Sequence, residues 1–159
     1  MPRIILKEVA ADCADALGLL RQSHALMNAT FPAEANHYLS VDALKSPHIS
    51  FWLAYIGPRP MGCCALARFE DYGEVKSLFV EETARGTGVA RALLRLAEDT
   101  AREADLRYLR LETGDRLVDA IRLYEAYGFE KRSPFGTYEE GPHSVFFERD
   151  LAVCEDINE

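Results

Sequence analysis

VEETARGTGVARALLRLAEDT, residues 80–100, places an arginine and two glycines directly before a run with helical periodicity. The first backbone N–H groups of a helix have no partner inside the helix, and the helix dipole puts partial positive charge there. Glycine lets another molecule approach that backbone closely, because it carries no side chain. The stretch therefore predicts an anion-binding turn, and phosphate is the anion that such turns most often hold.

The run after the glycines has one apolar side, which predicts an amphipathic helix from residue 89 onward. The apolar side consists of Val89, Leu93, Leu96 and Ala97. The charged residues fall mostly on the other side, and they are Arg91, Arg95, Glu98 and Asp99.

Strands and helices alternate around this turn. Strands are expected at residues 3–9, 48–57, 61–70, 73–82, 107–113, 129–132 and 143–151. Further helices are expected at residues 11–28, 41–44 and 117–128. This order predicts a mixed α/β fold with helices packed on a central sheet. A length of 159 residues suits a single domain over 1–159, and an acidic tail begins at about residue 153.

Composition narrows the classes of function. The net charge of −8 argues against a nucleic-acid partner and against binding to an anionic membrane, both of which require a basic face. The chain has no apolar run long enough to span a bilayer. The four cysteines, Cys13, Cys63, Cys64 and Cys154, form no CxxC pair, so no metal site is expected. Reduced thiols in a cytoplasmic protein are the simplest interpretation.

Two other phosphate-binding motifs are absent from the chain or incomplete in it. The P-loop pattern G-x-x-x-x-G-K-[ST] has no match in the chain. The dinucleotide fingerprint is matched in part by Gly86 and Gly88, with the acidic Glu112 ending the next strand. However, Arg91 stands where the third glycine belongs, and residues 81–85 separate the glycines from their strand. A dinucleotide-binding oxidoreductase is therefore a weak alternative.

A third motif uses more of the chain. RGTGVA at residues 85–90 resembles the pyrophosphate loop of the GCN5-related N-acetyltransferase (GNAT) family, R/Q-x-x-G-x-G/A. The strand GEVKSLFV before it is similar to the family strand that faces the acetyl group, and residues 120–129 match the pattern A-x-x-L-Y-x-x-x-G-F. The resemblance spans residues 51–151. It implies a central mixed, mostly antiparallel sheet flanked by helices, and transfer of acetyl from acetyl-CoA to a primary amine by direct attack in a ternary complex.

The resemblance also implies which residues hold the cofactor. The backbone of Leu78, Phe79 and Val80 would pair with the pantetheine arm as a sheet edge pairs with a peptide. Leu117 stands where many members carry Asn or Gln, so a side-chain contact to the arm is not expected there. The pyrophosphate would be held by the side chain of Arg85 and the backbone of Gly86, Thr87, Gly88, Val89 and Ala90, with charge added by Arg91.

Glu74 and Tyr124 are the expected catalytic residues. An amine must lose a proton before it attacks, and Glu74 lies on the strand that the family directs at the acetyl group. Tyr124 occupies the position from which the family protonates the leaving thiolate. Both have simpler interpretations: Glu74 as a surface partner of Lys76, and Tyr124 as a packed helix residue like Tyr127. Glu112 is a rival base.

The acceptor side rests on looser resemblance. The loops near residues 32–38 and 134–138 resemble those of one bacterial branch of the family, at Pro32, Glu34, His37, Pro134, Phe135, Gly136 and Tyr138. His37, Glu112, Phe135 and Tyr138 are the expected acceptor contacts, for a small-molecule or peptide amine. Homodimers are common in the family, so a homodimer is one expectation. A non-catalytic module that binds acyl-CoA is the remaining alternative.

Overall fold

A seven-stranded sheet organises the protein in the computed structural model, which describes residues 3–152. The strands are β1 Ile4–Glu8, β2 Ile49–Ile56, β3 Arg59–Arg68, β4 Tyr72–Val80, β5 Tyr108–Gly114, β6 Glu130–Arg132 and β7 Ser144–Asp150. Their spatial order is β1-β2-β3-β4-β5-β7-β6, and only the β4–β5 pair is parallel. The predicted mixed α/β class with a mostly antiparallel sheet is confirmed.

Helices cover both faces of the sheet. They are α1 Ala14–Thr30, α2 Val41–Leu44, α3 Val89–Glu103 and α4 Val118–Tyr127, with short 3-10 turns at Ala33–Ala35 and Glu82–Ala84. None of the helices in residues 3–152 combines the length and apolar character needed to cross a bilayer. The predicted acidic tail lies outside the described residues.

Most predicted boundaries agree with the structure within a few residues. The first helix was predicted from residue 11 but begins at Ala14, because the Cys13 N–H closes a turn on the Ala10 carbonyl. Strand β3 begins at Arg59, earlier than the predicted residue 61. The Gly57–Pro58 pair alone makes the turn, and Pro60 pairs opposite Tyr55 at a register shift in β2.

The sheet separates two cores. Alternate residues of β2 point to opposite faces, so Trp52 and Ala54 pack towards α3 and α4, whereas Phe51 and Leu53 pack towards α1 and α2. The adjacent Cys63 and Cys64 are divided between the two cores in the same way, and both are fully buried.

Helix α3 packs its apolar side on the sheet, as its periodicity predicts. Its buried apolar residues are Val89, Leu93, Leu94, Ala97 and Ala101. The expectation that Glu98 lies on the solvent side is wrong, because its side chain is only 5% exposed. Glu98 can be buried because Tyr127, Arg102 and Arg149 all donate hydrogen bonds to its carboxylate.

Gly62 fixes how closely α3 approaches β3. A Cβ at this position would lie 2.6 Å from Val89 Cγ1 and 3.2 Å from both Leu93 Cδ1 and the Phe79 carbonyl oxygen. We therefore expect Gly62→Ala to lower the free energy of unfolding by about 1–3 kcal/mol, the usual cost of overpacking a core. Urea denaturation would measure this change. Gly18→Ala in α1 is the matched control, because a Cβ there meets nothing within 4 Å and alanine favours the helix. Equal stabilities of the two variants would contradict the close packing.

Candidate active site

The sheet is split between its parallel strands. β4 and β5 pair only where Tyr72–Glu74 lies beside Tyr108–Arg110. Past these residues β4 continues to pair with β3, through Cys63–Phe79 and Gly62–Val80, but has no strand partner on the β5 side within residues 3–152. One edge of residues 78–80 is therefore open in the middle of the sheet, and their side chains are only half-buried.

A β-bulge at Ser77 accompanies the split. Lys76 pairs with Ala65 and Phe79 pairs with Cys63, so Ser77 and Leu78 together lie opposite Cys64. The φ angle of Ser77 is 56°, a left-handed conformation that residues other than glycine seldom adopt. Its buried Oγ has no hydrogen-bond partner in the described part of the chain. A bulge bends its strand and increases the twist, which turns the end of β4 away from β5.

The glycine turn stands at the end of β4 and opens α3. Gly86 and Gly88 have φ angles of 81° and 94°, and nothing lies within 4 Å of a Cβ built on either. Gly88 is the N-cap of α3 and supplies no side-chain cap, so the first N–H groups of the helix have no side-chain acceptor there. Arg85 is exposed, and its Nε donates to the Val80 carbonyl at 3.3 Å. The start of α3 therefore presents N–H donors without a side-chain acceptor beside a cation.

Positive charge continues along α3 beside the turn. A cavity of about 370 Å³ is lined by Gly88, Arg91, Ala92, Arg95, Glu98, Tyr127 and Arg149. The Arg91 guanidinium lies 5.3 Å from the centre of the Tyr127 ring. Burial raises the pKa of Glu98, but the hydrogen bonds from Tyr127 and Arg102 and the charge of Arg149 outweigh it and lower that pKa overall. Glu98 is therefore an ionised carboxylate that holds the floor of this cavity together.

Tyr124 lies on the α4 side of the sheet. Its side chain is 6% exposed and packs against Phe129 and Phe147, with ring centres 5.8 and 6.0 Å away. Burial, with smaller contributions from Cys64 and Glu112, raises the pKa of Tyr124 far above its ordinary value. The phenol therefore keeps its proton at any physiological pH.

A larger cavity opens on the other face of the sheet. Its volume is about 960 Å³, and it lies between the segments 32–49 and 136–144. Tyr72, Glu74 and Lys76 of β4 contribute to its lining. His37 and Tyr138, both expected on the acceptor side, line it with their rings edge to face and their centres 5.5 Å apart. These two segments, distant in the sequence, thus form one concave wall.

Phe135, also expected on the acceptor side, does not line this cavity. It is 5% exposed and packs against Tyr72, Tyr138 and Phe146. Its ring therefore supports the cavity wall from behind.

Lys76 joins the elements around the cavity. Its Nζ donates to the Tyr138 hydroxyl at 2.7 Å, to Glu74 Oε2 at 3.2 Å and to the His37 carbonyl at 3.4 Å. The Tyr138 hydroxyl in turn donates to Glu74 Oε2 at 2.6 Å. The side chains of Lys76 and Glu74 are only 11% and 7% exposed. Alternation along β4 predicts that Lys76 and Glu74 share a face, but the sequence gives no sign that this face is buried or that Lys76 contacts the two loops.

Glu112 lies on β5, two residues past Arg110, the last residue that pairs with β4. It is half-buried, and Ser144 Oγ donates to its Oε2 at 2.9 Å. Burial raises its pKa to about 7; the charge of Glu74 adds to this rise, while the Ser144 hydrogen bond and the charge of Lys76 oppose it. Glu112 therefore changes its protonation state near neutral pH. No group of three or more His, Cys, Asp or Glu side chains in residues 3–152 is arranged to hold a metal ion.

Comparison with known proteins identifies the family. The sequence profile of the acetyltransferase (GNAT) family matches residues 20–129. The chain belongs to the GNAT family. An IAA acetyltransferase of Azospirillum brasilense is 45% identical over 123 residues, which cover 76% of this chain and 80% of that protein. The family and the enzyme class predicted from the sequence are confirmed: the protein is a GNAT acyltransferase.

Solved structures of the GNAT fold agree with this assignment. A Klebsiella pneumoniae protein assigned to the acyl-CoA N-acyltransferases superposes with a TM-score of 0.79 and 27% identity, over 93% of this chain and 97% of that one. A GNAT acetyltransferase of Elizabethkingia anophelis, solved with acetyl-CoA bound, shares the fold with a TM-score of 0.66 and 20% identity, over 92% of this chain and 97% of that one.

Proposed function

We propose that this GNAT protein transfers the acetyl group of acetyl-CoA to a primary amine by direct attack in a ternary complex. The observation that carries the proposal is the split between β4 and β5. The glycine turn stands at the end of β4, where one ligand could enter the split. The 960 Å³ cavity borders β4 on the other face of the sheet, where a second ligand could reach the first. When two reactants are bound side by side, binding has already met most of the entropic cost of bringing them together, which lowers the activation free energy.

The cofactor half of the proposal rests on the backbone of β4 where it lacks a strand partner on the β5 side, and on the glycine turn. The open edge of β4 at Leu78, Phe79 and Val80 offers hydrogen bonds to an amide-containing arm, as an edge strand does to a peptide. One N–H of this edge would also polarise the thioester carbonyl. The pyrophosphate would lie on the N–H groups of residues 86–90, with Arg85 and Arg91 beside it. The Elizabethkingia anophelis protein, which is 20% identical to this chain, has the same fold and was solved with acetyl-CoA bound. This supports the view that the fold can hold the cofactor; the residues proposed to hold it are inferred from this chain alone.

The chemistry needs a base and an acid near the split. The amine proton would pass to a carboxylate, and Glu74 and Glu112 are the candidates on the two diverging strands. The amine lone pair forms the C–N bond as the C–S bond breaks. The leaving thiolate would take the proton of Tyr124, which burial keeps protonated. The acceptor, a small molecule or the end of a peptide, would occupy the large cavity beside His37 and Tyr138, whose volume suits a drug-sized molecule.

Ligand-dependent thermal shifts and thiol release test this function together. Coenzyme A and acetyl-CoA should both raise the melting temperature, while NAD and ATP should not, because a ligand of the native state stabilises it by mass action. Acetyl-CoA should then release free thiol only when a primary amine is added. A shift with NAD alone would indicate an oxidoreductase. A shift with both forms of coenzyme A but no thiol release across a broad amine panel would indicate a non-catalytic binding module.

A further inference from the structure

Glu74 and Glu112 border the same split, but Glu74 is already engaged. One oxygen, Oε2, accepts both the Tyr138 hydroxyl at 2.6 Å and the Lys76 ammonium at 3.2 Å. Within residues 3–152, Glu74 is the one carboxylate that pairs with Lys76, whose side chain is 11% exposed. An unpaired buried charge is costly, so Lys76 holds the Glu74 carboxylate in this arrangement.

Glu112 is free to accept a proton. Within residues 3–152 its one side-chain hydrogen-bond partner is Ser144, which donates to Oε2. The Oε1 atoms of Glu112 and Glu74 both lack a side-chain donor there, and the two carboxylates differ in that Glu74 is paired with the buried Lys76. Glu74 and Arg110 are the last paired residues before the strands diverge. Because β-strand side chains alternate, Glu112 is the first residue of β5 past that pair that points to the same face. It therefore borders the split on the face of the sheet that carries the large cavity. Glu112 itself does not line that cavity, but its hydrogen-bond partner Ser144 does.

We propose that Glu112 is the general base of the reaction, and that Glu74 is a positioning residue that holds Lys76 and Tyr138 in the cavity wall. This inference rests on the proposed acetyl transfer. The amine proton passes to Glu112 Oε1, directly or through one water molecule. The freed lone pair forms the C–N bond to the thioester carbon, the C–S bond breaks, and the thiolate takes the proton of Tyr124. The nitrogen gives up a second proton as the amide forms, and this proton restores Tyr124 through solvent. Glu112 then loses its proton to solvent.

Charged and titratable groups face Glu112 from β4, α4 and the loop that contains Tyr138. Glu74 and Lys76 face it from β4 with opposite effects on its charge, and its own charge raises the pKa of Tyr124 on α4 and of Tyr138 in the loop above. It is thus within electrostatic reach of both the expected acid and the cavity wall. With its pKa near 7, Glu112 has the value that best combines an ionised base with a strong tendency to take a proton at neutral pH.

The pH dependence of turnover tests the assignment. Thiol release from acetyl-CoA would be followed from pH 5.5 to 9 with the best acceptor among ethylamine, ethanolamine, phenethylamine and glycine methyl ester. We expect Glu112→Gln to lower kcat about 100-fold or more and to remove the acidic limb of the profile. Glu74→Gln should keep that limb near pH 7 and mainly raise the KM for the amine.

Ser144→Ala should move the acidic limb to higher pH, because the hydrogen bond that it removes favours the ionised form of Glu112. If Glu112 were purely structural, Ser144→Ala would leave the limb unmoved.

The proposal would be overturned if Glu74→Gln lost the acidic limb while Glu112→Gln kept it. It would also be overturned if both variants kept the limb. Each variant must still show the thermal shift with coenzyme A, which separates this failure from a failure of the proposed function. Carbon-13 NMR of glutamate labelled at the side-chain carboxyl needs no acceptor. The resonance that disappears in Glu112→Gln should titrate near pH 7, and titration below pH 5.5 would also overturn the assignment.

Discussion

Gly88→Asp is expected to abolish the rise in melting temperature that coenzyme A gives the wild-type protein. Gly88 caps α3 beside exposed Arg85, and open space lies where its side chain would be. A carboxylate there would occupy the anion-binding turn and repel the pyrophosphate. Like charges a few ångströms apart near a protein surface repel by about 3–4 kcal/mol, which corresponds to a Kd for coenzyme A raised more than about 100-fold.

Two control variants isolate the charge. Gly88→Asn has nearly the same size and the same strain at a φ of 94°, so it should weaken binding far less than Gly88→Asp. Gly57→Asp places a carboxylate in the turn between β2 and β3, where φ is also positive and space is open, and should leave the shift unchanged. Calorimetric titration with coenzyme A would give each Kd. Equal losses in the Asp and Asn variants would mean that backbone strain, and not an anion site, explains the effect.

Tyr124→Phe is expected to lower kcat about 100-fold, within the range found when a general acid is removed. Burial keeps the phenol protonated, so it can donate to the thiolate as the C–S bond breaks. The KM for acetyl-CoA should stay close to that of the wild type, because the ring and its packing on Phe129 and Phe147 remain. Steady-state thiol release with a saturating amine measures both constants.

Tyr127→Phe is the matched control on the same helix. Its hydroxyl donates to Glu98 at 2.7 Å, on the side of α4 that faces α3. Losing this bond should lower the free energy of unfolding by about 1 kcal/mol while kcat stays unchanged. A wild-type kcat in Tyr124→Phe, or an equal fall in both variants, would show that Tyr124 serves packing alone.

The order of elements could be predicted from the sequence because its signals are local. The glycines before residue 89 and the apolar spacing after them indicate α3 without reference to the rest of the chain. The burial of Glu98 could not be read in this way, because it depends on Tyr127 and Arg149 from distant parts of the chain. Periodicity alone predicts that Glu98 faces solvent, but hydrogen bonds from other elements allow its side chain to be buried.

In the candidate site, too, the features with a local sequence signal could be predicted and those that depend on distant segments could not. The positions of Glu74, Tyr124 and the glycine turn came from a resemblance spread over consecutive residues. The left-handed backbone of Ser77 has no such signal, since nothing in its residue type favours a positive φ. The contacts of Lys76 with Tyr138 and with the His37 carbonyl depend on two loops that meet only in the folded protein.

Because β4 and β5 pair over only part of their length, the middle of the sheet lacks some of its interstrand hydrogen bonds. Under the proposed function, the bound cofactor would supply hydrogen bonds there that a strand would otherwise make. Occupancy would then stabilise the native state against unfolding. Protease digestion of the protein would therefore slow as coenzyme A is added, because less of the chain is unfolded at any moment.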